Sequence, residues 1–295
     1  MTTMHAEDDI ASNVGGSATD MPLATNVPGP HAQRPIGLKP ALGLRVEGGH
    51  GESFIDHVVE ETPVALLYNG RSYAVMMATP CDLQDFALGF ALTEGIVGHA
   101  DEFRLVDCLR TTHGISLQAA IPQGRFDALA ERSRNLAGRS GCGLCGVETL
   151  EAAIRPVRRL DDHSSVSAAA ISDGLYQLAQ AQPLNRISGG VHAAGFVHAN
   201  GILVREDVGR HNALDKLVGA LAIATVGAGF LVITSRASYE IVHKAAAAGI
   251  AIVVAMSAPT DLAIRLAAEA DITLAAFARG QTMTVYTRTD RVRCD

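Results

Sequence analysis

The chain has 295 residues and a formal net charge of −7 at pH 7, with 47 alanines, 29 glycines, no tryptophan and 21 arginines against 3 lysines. That length supplies a hydrophobic core without disulfide staples, and the acidic balance argues against a general nucleic-acid binder held by a basic face. The start MTTMHAEDDI lacks the basic and apolar regions of a secretory signal, no uninterrupted apolar run reaches the ~18 residues of a membrane span, and five cysteines with a single close pair suit a reducing compartment, so a cytoplasmic protein is expected.

Residues 1–40, rich in Gly, Pro, Ser and Thr, show little periodicity. Strand-like runs follow at Phe54–Val59, Val64–Tyr68 and Tyr73–Met77, the last two joined by Asn69-Gly70, a strong hairpin signal. Asp82–Glu94 places Leu83, Phe86, Ala87 and Phe90 on one helical stripe, with Gly95 positioned to end it. Glu102–Leu109 and Gly114–Ile121 read as strands, and Phe126–Arg134 as a short helix. A Gly-rich stretch, 137–146, enters a helix predicted over Val147–Ile154, followed by a polar linker to Ser165. A helix near Ile171–Ala181 precedes a second Asn-Gly hairpin at Asn200-Gly201. Helices 210–224, 239–248 and 260–269 then alternate with strands 229–234, 250–256 and 272–277, and a final run covers Met283–Thr287. Such β-α-β repetition predicts parallel strands buried under helices.

The densest chemistry is Arg139-Ser-Gly-Cys142-Gly-Leu-Cys145-Gly146. Its glycines leave the sulfurs uncovered, while Arg139 and the N-terminus of the following helix favour the thiolate. No second Cys pair completes a four-ligand zinc site, so no metal is assigned. The same stretch fits G-x-G-x-x-G, but no buried strand precedes it, as a dinucleotide fingerprint requires. Further on, three successive strands end in Ser235-Arg236-Ala-Ser238, Ser257-Ala-Pro-Thr260 and Phe277-Ala278-Arg279-Gly280-Gln281-Thr282. Hydroxyls, arginines and helix N-termini at the carboxyl ends of parallel strands form a phosphate crevice if the strands are adjacent. Arg205–Lys216 concentrates charge at a helix start and reads as a solvated face, with Glu206/Arg210 and His211/Asp215 four apart. His192, after Gly189-Gly190, reads equally as structural or catalytic. Cys81, Cys108 and Cys294 are expected to be buried, inert thiols.

Taken in order, MMATPCDLQDFALGFALTEGIV, SGCGLCG, GGVHAAG, REDVGRHNALDKLVG and TSRASYEIVHKAAAAGI resemble the formate dehydrogenase accessory protein family, FdhD, over about Phe54–Tyr286. The resemblance implies a cytidine-deaminase-like layered α/β fold with a β-hairpin-rich N-terminal part and a C-terminal βαβαβ region. It also implies a homodimeric sulfurtransferase that takes sulfane sulfur from a cysteine desulfurase and passes it to molybdenum in the bis(molybdopterin guanine dinucleotide) cofactor of apo formate dehydrogenase. Carried onto this sequence, Cys142 would bear the persulfide, Cys145 would be a helper or second carrier, and Phe277, Ala278, Arg279, Gly280, Gln281 and Thr282 would hold the cofactor. That segment is the third loop of the crevice, to which Ser235 and Arg236 also belong. The expected organisation is a disordered or loosely attached extension (1–50), an N-terminal subdomain ending in the CGLC loop and its helix (51–155), and an α/β cofactor-binding subdomain (156–295). Two other readings use the same residues: a cofactor chaperone without covalent sulfur transfer, and a C-x-x-C disulfide oxidoreductase. The second is disfavoured because the pair does not follow a strand.

Overall fold

The structure, a computed structural model, describes residues 36–137 and 156–294. Arg139, Cys142, Cys145 and the helix expected over Val147–Ile154 lie outside the described residues. The N-terminal half opens with an antiparallel hairpin, β1 (Leu38–Glu47) and β2 (His50–Val59), turning at Gly48-Gly49, both at positive φ. The extension expected through residue 50 therefore contains an ordered ten-residue strand. Its alternating residues Leu42, Leu44 and Val46 are exposed, so it lacks the in-or-out contrast that marks a strand packed on a core.

β3 (Thr62–Tyr68) and β4 (Arg71–Ala78) form the hairpin predicted at Asn69-Gly70, whose φ values of 47° and 82° suit a type I′ turn. With β5 (Arg104–Thr111) and β6 (Gly114–Ala120) they make a sheet of order β4-β3-β6-β5. Helix α1 (Leu83–Thr93) covers one face, its Phe86, Ala87 and Phe90 meeting Val64, Leu66, Ile115 and Leu117. Helix α2 runs over Gln123–Ala137, longer than its apolar stripe suggested.

In the second half, β7 (Val166–Ser167) leads into α3 (Ala168–Gln180), where Ser167 Oγ accepts from Ala170 N. A short α4 (Pro183–Ser188) precedes β8 (His192–His198) and β9 (Gly201–Asp207). Then α5 (Arg210–Ile223), β10 (Gly229–Ile233), α6 (Tyr239–Ala247), β11 (Ile252–Ala255), α7 (Asp261–Glu269), β12 (Thr273–Arg279) and β13 (Thr282–Thr287) alternate as read. β14 (Val292–Arg293) returns to pair with β7. The main sheet has order β13-β12-β11-β10-β8-β9, with β10, β11 and β12 parallel.

Strand periodicity sorts its residues. Leu231, Ile233, Val253, Ala255, Leu274 and Ala276 pack under α5, α6 and α7. Phe230, Val232, Ile252, Val254 and Ala275 face α3 on the other side. The two halves meet where α1 crosses α5. A Cβ at Gly89 would lie 1.7 Å from the Asp215 carbonyl oxygen, and one at Gly219 only 1.9 Å from that of Asp85, so both glycines are required by backbone contact.

Enclosure between α1 and the main sheet overturns the solvated reading of Arg205–Lys216. Glu206, Asp207, Asn212, Asp215 and Lys216 are all buried. Glu206 does not pair with Arg210; it accepts from the N–H groups of Leu184 and Asn185 and so caps α4. Asp215 binds Lys244 and Thr93 rather than His211. Lys216 Nζ, wholly buried, lies 2.7 Å from Asp207 Oδ2 and donates to the carbonyls of Thr79 and Glu206.

Candidate functional site

The condition for a crevice is met: β10, β11 and β12 are adjacent and their outgoing loops are bonded to one another. Ala237 N donates to Ala258 O (3.1 Å), Thr260 N to Ala237 O (3.0 Å) and Phe277 N to Ser257 O (3.1 Å). Ser235, Arg236 and Phe277–Thr282 therefore share one edge of the sheet, two strands apart. Ser235 is buried and its Oγ donates to Arg236 O. Arg236 and Arg279 are exposed, and among the described residues neither guanidinium has a hydrogen-bond or ionic partner.

The third loop is locally unusual. A bulge between Ala276 and Arg279 breaks the β12–β13 register, and Phe277 sits at φ 53° with half its surface exposed. A bulky residue held in the left-handed region and turned outward is costly on both counts. Ala278 is buried beneath it, Gly280 (φ 54°) and Gln281 form the turn, and Thr282 Oγ1 donates to Arg279 O. The loop thus presents an aromatic face, an exposed guanidinium and exposed polar groups together.

Three residues not assigned to the crevice from sequence also reach this edge. β8 begins where β10 ends, since Thr234 N donates to Ala193 O and Ala193 N to Thr234 Oγ1. His192 consequently lies beside the start of α5, opposite Asp207, with Arg210 and His211 following. His211 Nε2 is 3.6 Å from Glu240 Oε2 at the start of α6, and Ser238 Oγ donates to the same carboxylate oxygen. Burial, then the charge of Arg210, pushes the His211 imidazole down to about 4, against the pull of Glu240. Burial and Arg210 also lower His192. The signal for Arg210 and His211 was their pattern at a helix start, and for His192 its place after Gly189-Gly190; what neither could convey was which sheet edge they meet.

The isolated cysteines differ from expectation. Cys108 is exposed because β5 is an edge strand, and Cys294 is exposed near the C-terminus. Cys81 lines a cleft of about 530 Å³ between the loop before α1, the α3–α4 junction and β9. Burial raises its thiol to about 11, although Lys216 Nζ lies 3.5 Å from the sulfur and partly offsets this.

The FdhD/NarQ family sequence model matches residues 59–293, which takes in the four-stranded and six-stranded sheets, the crevice loops and the CGLC stretch. The chain belongs to the FdhD/NarQ family. It is 51% identical over 252 residues to "Sulfur carrier protein FdhD" of Xanthomonas oryzae pv. oryzae, covering 84% of this chain and 90% of that protein. The same-named FdhD protein of Bordetella bronchiseptica is 48% identical over 257 residues, covering 84% and 92%. A crystal structure from Desulfotalea psychrophila, of a protein assigned as a formate dehydrogenase accessory protein, superposes with a TM-score of 0.67 over 87% of this chain and 99% of its own. At 23% identity it establishes a shared fold. The FdhD/NarQ match begins at residue 59, so β1 and nearly all of β2 lie outside it. Among the described residues of this family member, no helix is long and apolar enough to cross a membrane.

Proposed function

We propose that this FdhD/NarQ family member is a sulfurtransferase: Cys142 takes sulfane sulfur from a cysteine desulfurase and hands it to molybdenum in a bis(molybdopterin guanine dinucleotide) cofactor destined for formate dehydrogenase. The observation that carries the reading is its half-identity, over most of its length, to proteins named sulfur carrier FdhD. In the first step the Cys142 thiolate attacks the outer sulfur of the desulfurase persulfide. A sulfur–sulfur bond forms as the donor's breaks, and the desulfurase cysteine leaves as thiolate, so no oxidant is consumed. The neighbouring positive charge of Arg139 favours the anionic sulfur; Cys145 is the helper or second carrier.

The crevice fits the cargo's peripheral groups. Arg236 and Arg279, without partners among the described residues, suit phosphate oxygens. Exposed Phe277 offers a face to a purine, with Ser235, Gly280, Gln281 and Thr282 supplying polar and backbone contacts. The cargo's metal is the sulfur acceptor; the chain's own part is to bind, orient and carry. We place the protein in the cytoplasm as a homodimer meeting the desulfurase and apo formate dehydrogenase in turn. Exposed Leu42, Leu44, Val46 and Ile55 on the β1–β2 hairpin favour self-association.

A non-covalent cofactor chaperone would use the same crevice without a reactive cysteine. Complementation separates the two: a Cys142→Ala variant in cells lacking the native protein yields inactive formate dehydrogenase under the sulfurtransferase reading. Full activity with that variant contradicts it and favours the chaperone.

A further inference from the structure

The edge that carries the crevice continues past Ser235 to the starts of α5 and α6, and there one buried guanidinium nitrogen is left without an acceptor. Arg210 Nε is buried and has no hydrogen-bond partner. Burial of an unpaired guanidinium N–H is disfavoured, and such groups are ordinarily matched by an acceptor. Nearby carboxylates are already engaged. Asp207 accepts from Gly209 N and Asn212 Nδ2 and pairs with Lys216. Glu240 accepts from Ser238 Oγ and faces His211. The starts of β8, α5 and α6 converge here: His192 lies opposite Asp207 just before α5, and His211 of α5 is 3.6 Å from Glu240 of α6. Neither Gly209 nor Ser238, the residues that open α5 and α6, caps its helix with a side chain, whereas Thr260 caps α7 in the same row. The starts of α5 and α6 therefore lack the side-chain acceptor that closes the start of α7.

We propose that Arg210, with His192 beside it and the uncapped starts of α5 and α6, forms a second anion subsite that takes a phosphate group of a diphosphate ester. Arg236 and Arg279 hold the ester from the β10–β12 side, and Arg210 holds it from the β8–β10 side. The assignment rests on the crevice reading above and adds to it the residue that grips the diphosphate from within. A guanidinium supplies two parallel donors to a phosphate, where the shorter lysine ammonium acts as a point charge.

Isothermal titration calorimetry on the full chain tests this, with guanosine 5′-diphosphate and inorganic pyrophosphate as probes. Arg210→Gln is expected to weaken both probes by about tenfold or more, the scale of one lost charge-assisted bond, and Arg210→Lys to recover part of that loss. Equal weakening of both probes means that the subsite reads the diphosphate itself; a loss confined to the nucleotide means that it reads the ester. Wild-type affinity in a folded Arg210→Gln protein, with Arg236→Gln and Arg279→Gln both weakened, overturns the subsite and leaves the crevice standing. A wild-type chain that binds neither probe overturns both. Should Arg210→Gln fail to fold, Arg210→Lys and His192→Gln decide: unchanged affinity in both overturns the proposal.

Discussion

Two of the chain's three lysines are buried, and each shows how a charge is kept inside a protein. Lys216 is enclosed with Asp207 at 2.7 Å and two carbonyl acceptors; Lys244 lies against Asp215 and Glu94. Burial alone would strip the Lys244 proton, but the two carboxylates reverse this and hold its pKa above the ordinary lysine value. Removing one partner of such a pair strands the other without water. Lys216→Met is expected to cost about 3–5 kcal/mol in urea unfolding, while a loss under about 1 kcal/mol would mean that the bonds from Thr79 N, Gly209 N and Asn212 Nδ2 suffice for Asp207. His211 gives a pH-dependent counterpart. Its pKa in the folded state, about 4, lies below the ordinary histidine value, so between the two the unfolded chain binds the extra proton and stability falls as pH drops through that window. Arg210 and Lys244 repel its proton, while Glu240 and Glu94 attract it. His211→Gln, which cannot charge, should lose less melting temperature than wild type between pH 7 and pH 5. Parallel losses in the two proteins would show that His211 titrates freely.

At the scale of elements, the α1–α5 crossing is the tightest constraint. Gly89→Ala or Gly219→Ala would drive a methyl into backbone of the facing helix, where overpacking costs about 1–3 kcal/mol or more. Gly124, in α2 with nothing within 4 Å of its missing Cβ, is the control; Gly124→Ala should be neutral or slightly stabilising in the same denaturant titration. Elements whose information is local were legible in the sequence. Asn69-Gly70 specified its turn, the stripe Leu83–Phe90 its helix, and alternating βα units the parallel strands and their shared loop edge. Elements fixed by distant partners were not. α4 is six residues long and is held by the Glu206 carboxylate from β9, and among the described residues β1 pairs only with β2 while exposing its apolar side chains. The Arg205–Lys216 segment misled because local i, i+4 pairing is visible in sequence, whereas enclosure by α1 some 120 residues earlier is not.

Across the whole molecule, the second half presents one edge where β9, β10, β11 and β12 end and β8 and β13 begin, and the first half packs against the second through α1. That Ser235, Arg236 and Phe277–Thr282 share one sheet edge was legible because they follow strands in a repeating pattern; that His192 and Arg210 lie near the same edge was not, because the antiparallel pair β8–β9 brings them there. The β1–β2 hairpin lies outside the family match and displays Leu42, Leu44, Val46 and Ile55. Replacing Leu42, Leu44 and Ile55 with serine is expected to shift sedimentation from dimer toward monomer; an unchanged sedimentation coefficient would place self-association elsewhere. The central claim is that Cys142 carries sulfur, and intact-protein mass spectrometry after anaerobic incubation with a cysteine desulfurase and cysteine tests it most directly. The account predicts an adduct of about 32 Da that is lost on reduction and absent from Cys142→Ala; no adduct, or one that persists in that variant, would contradict it.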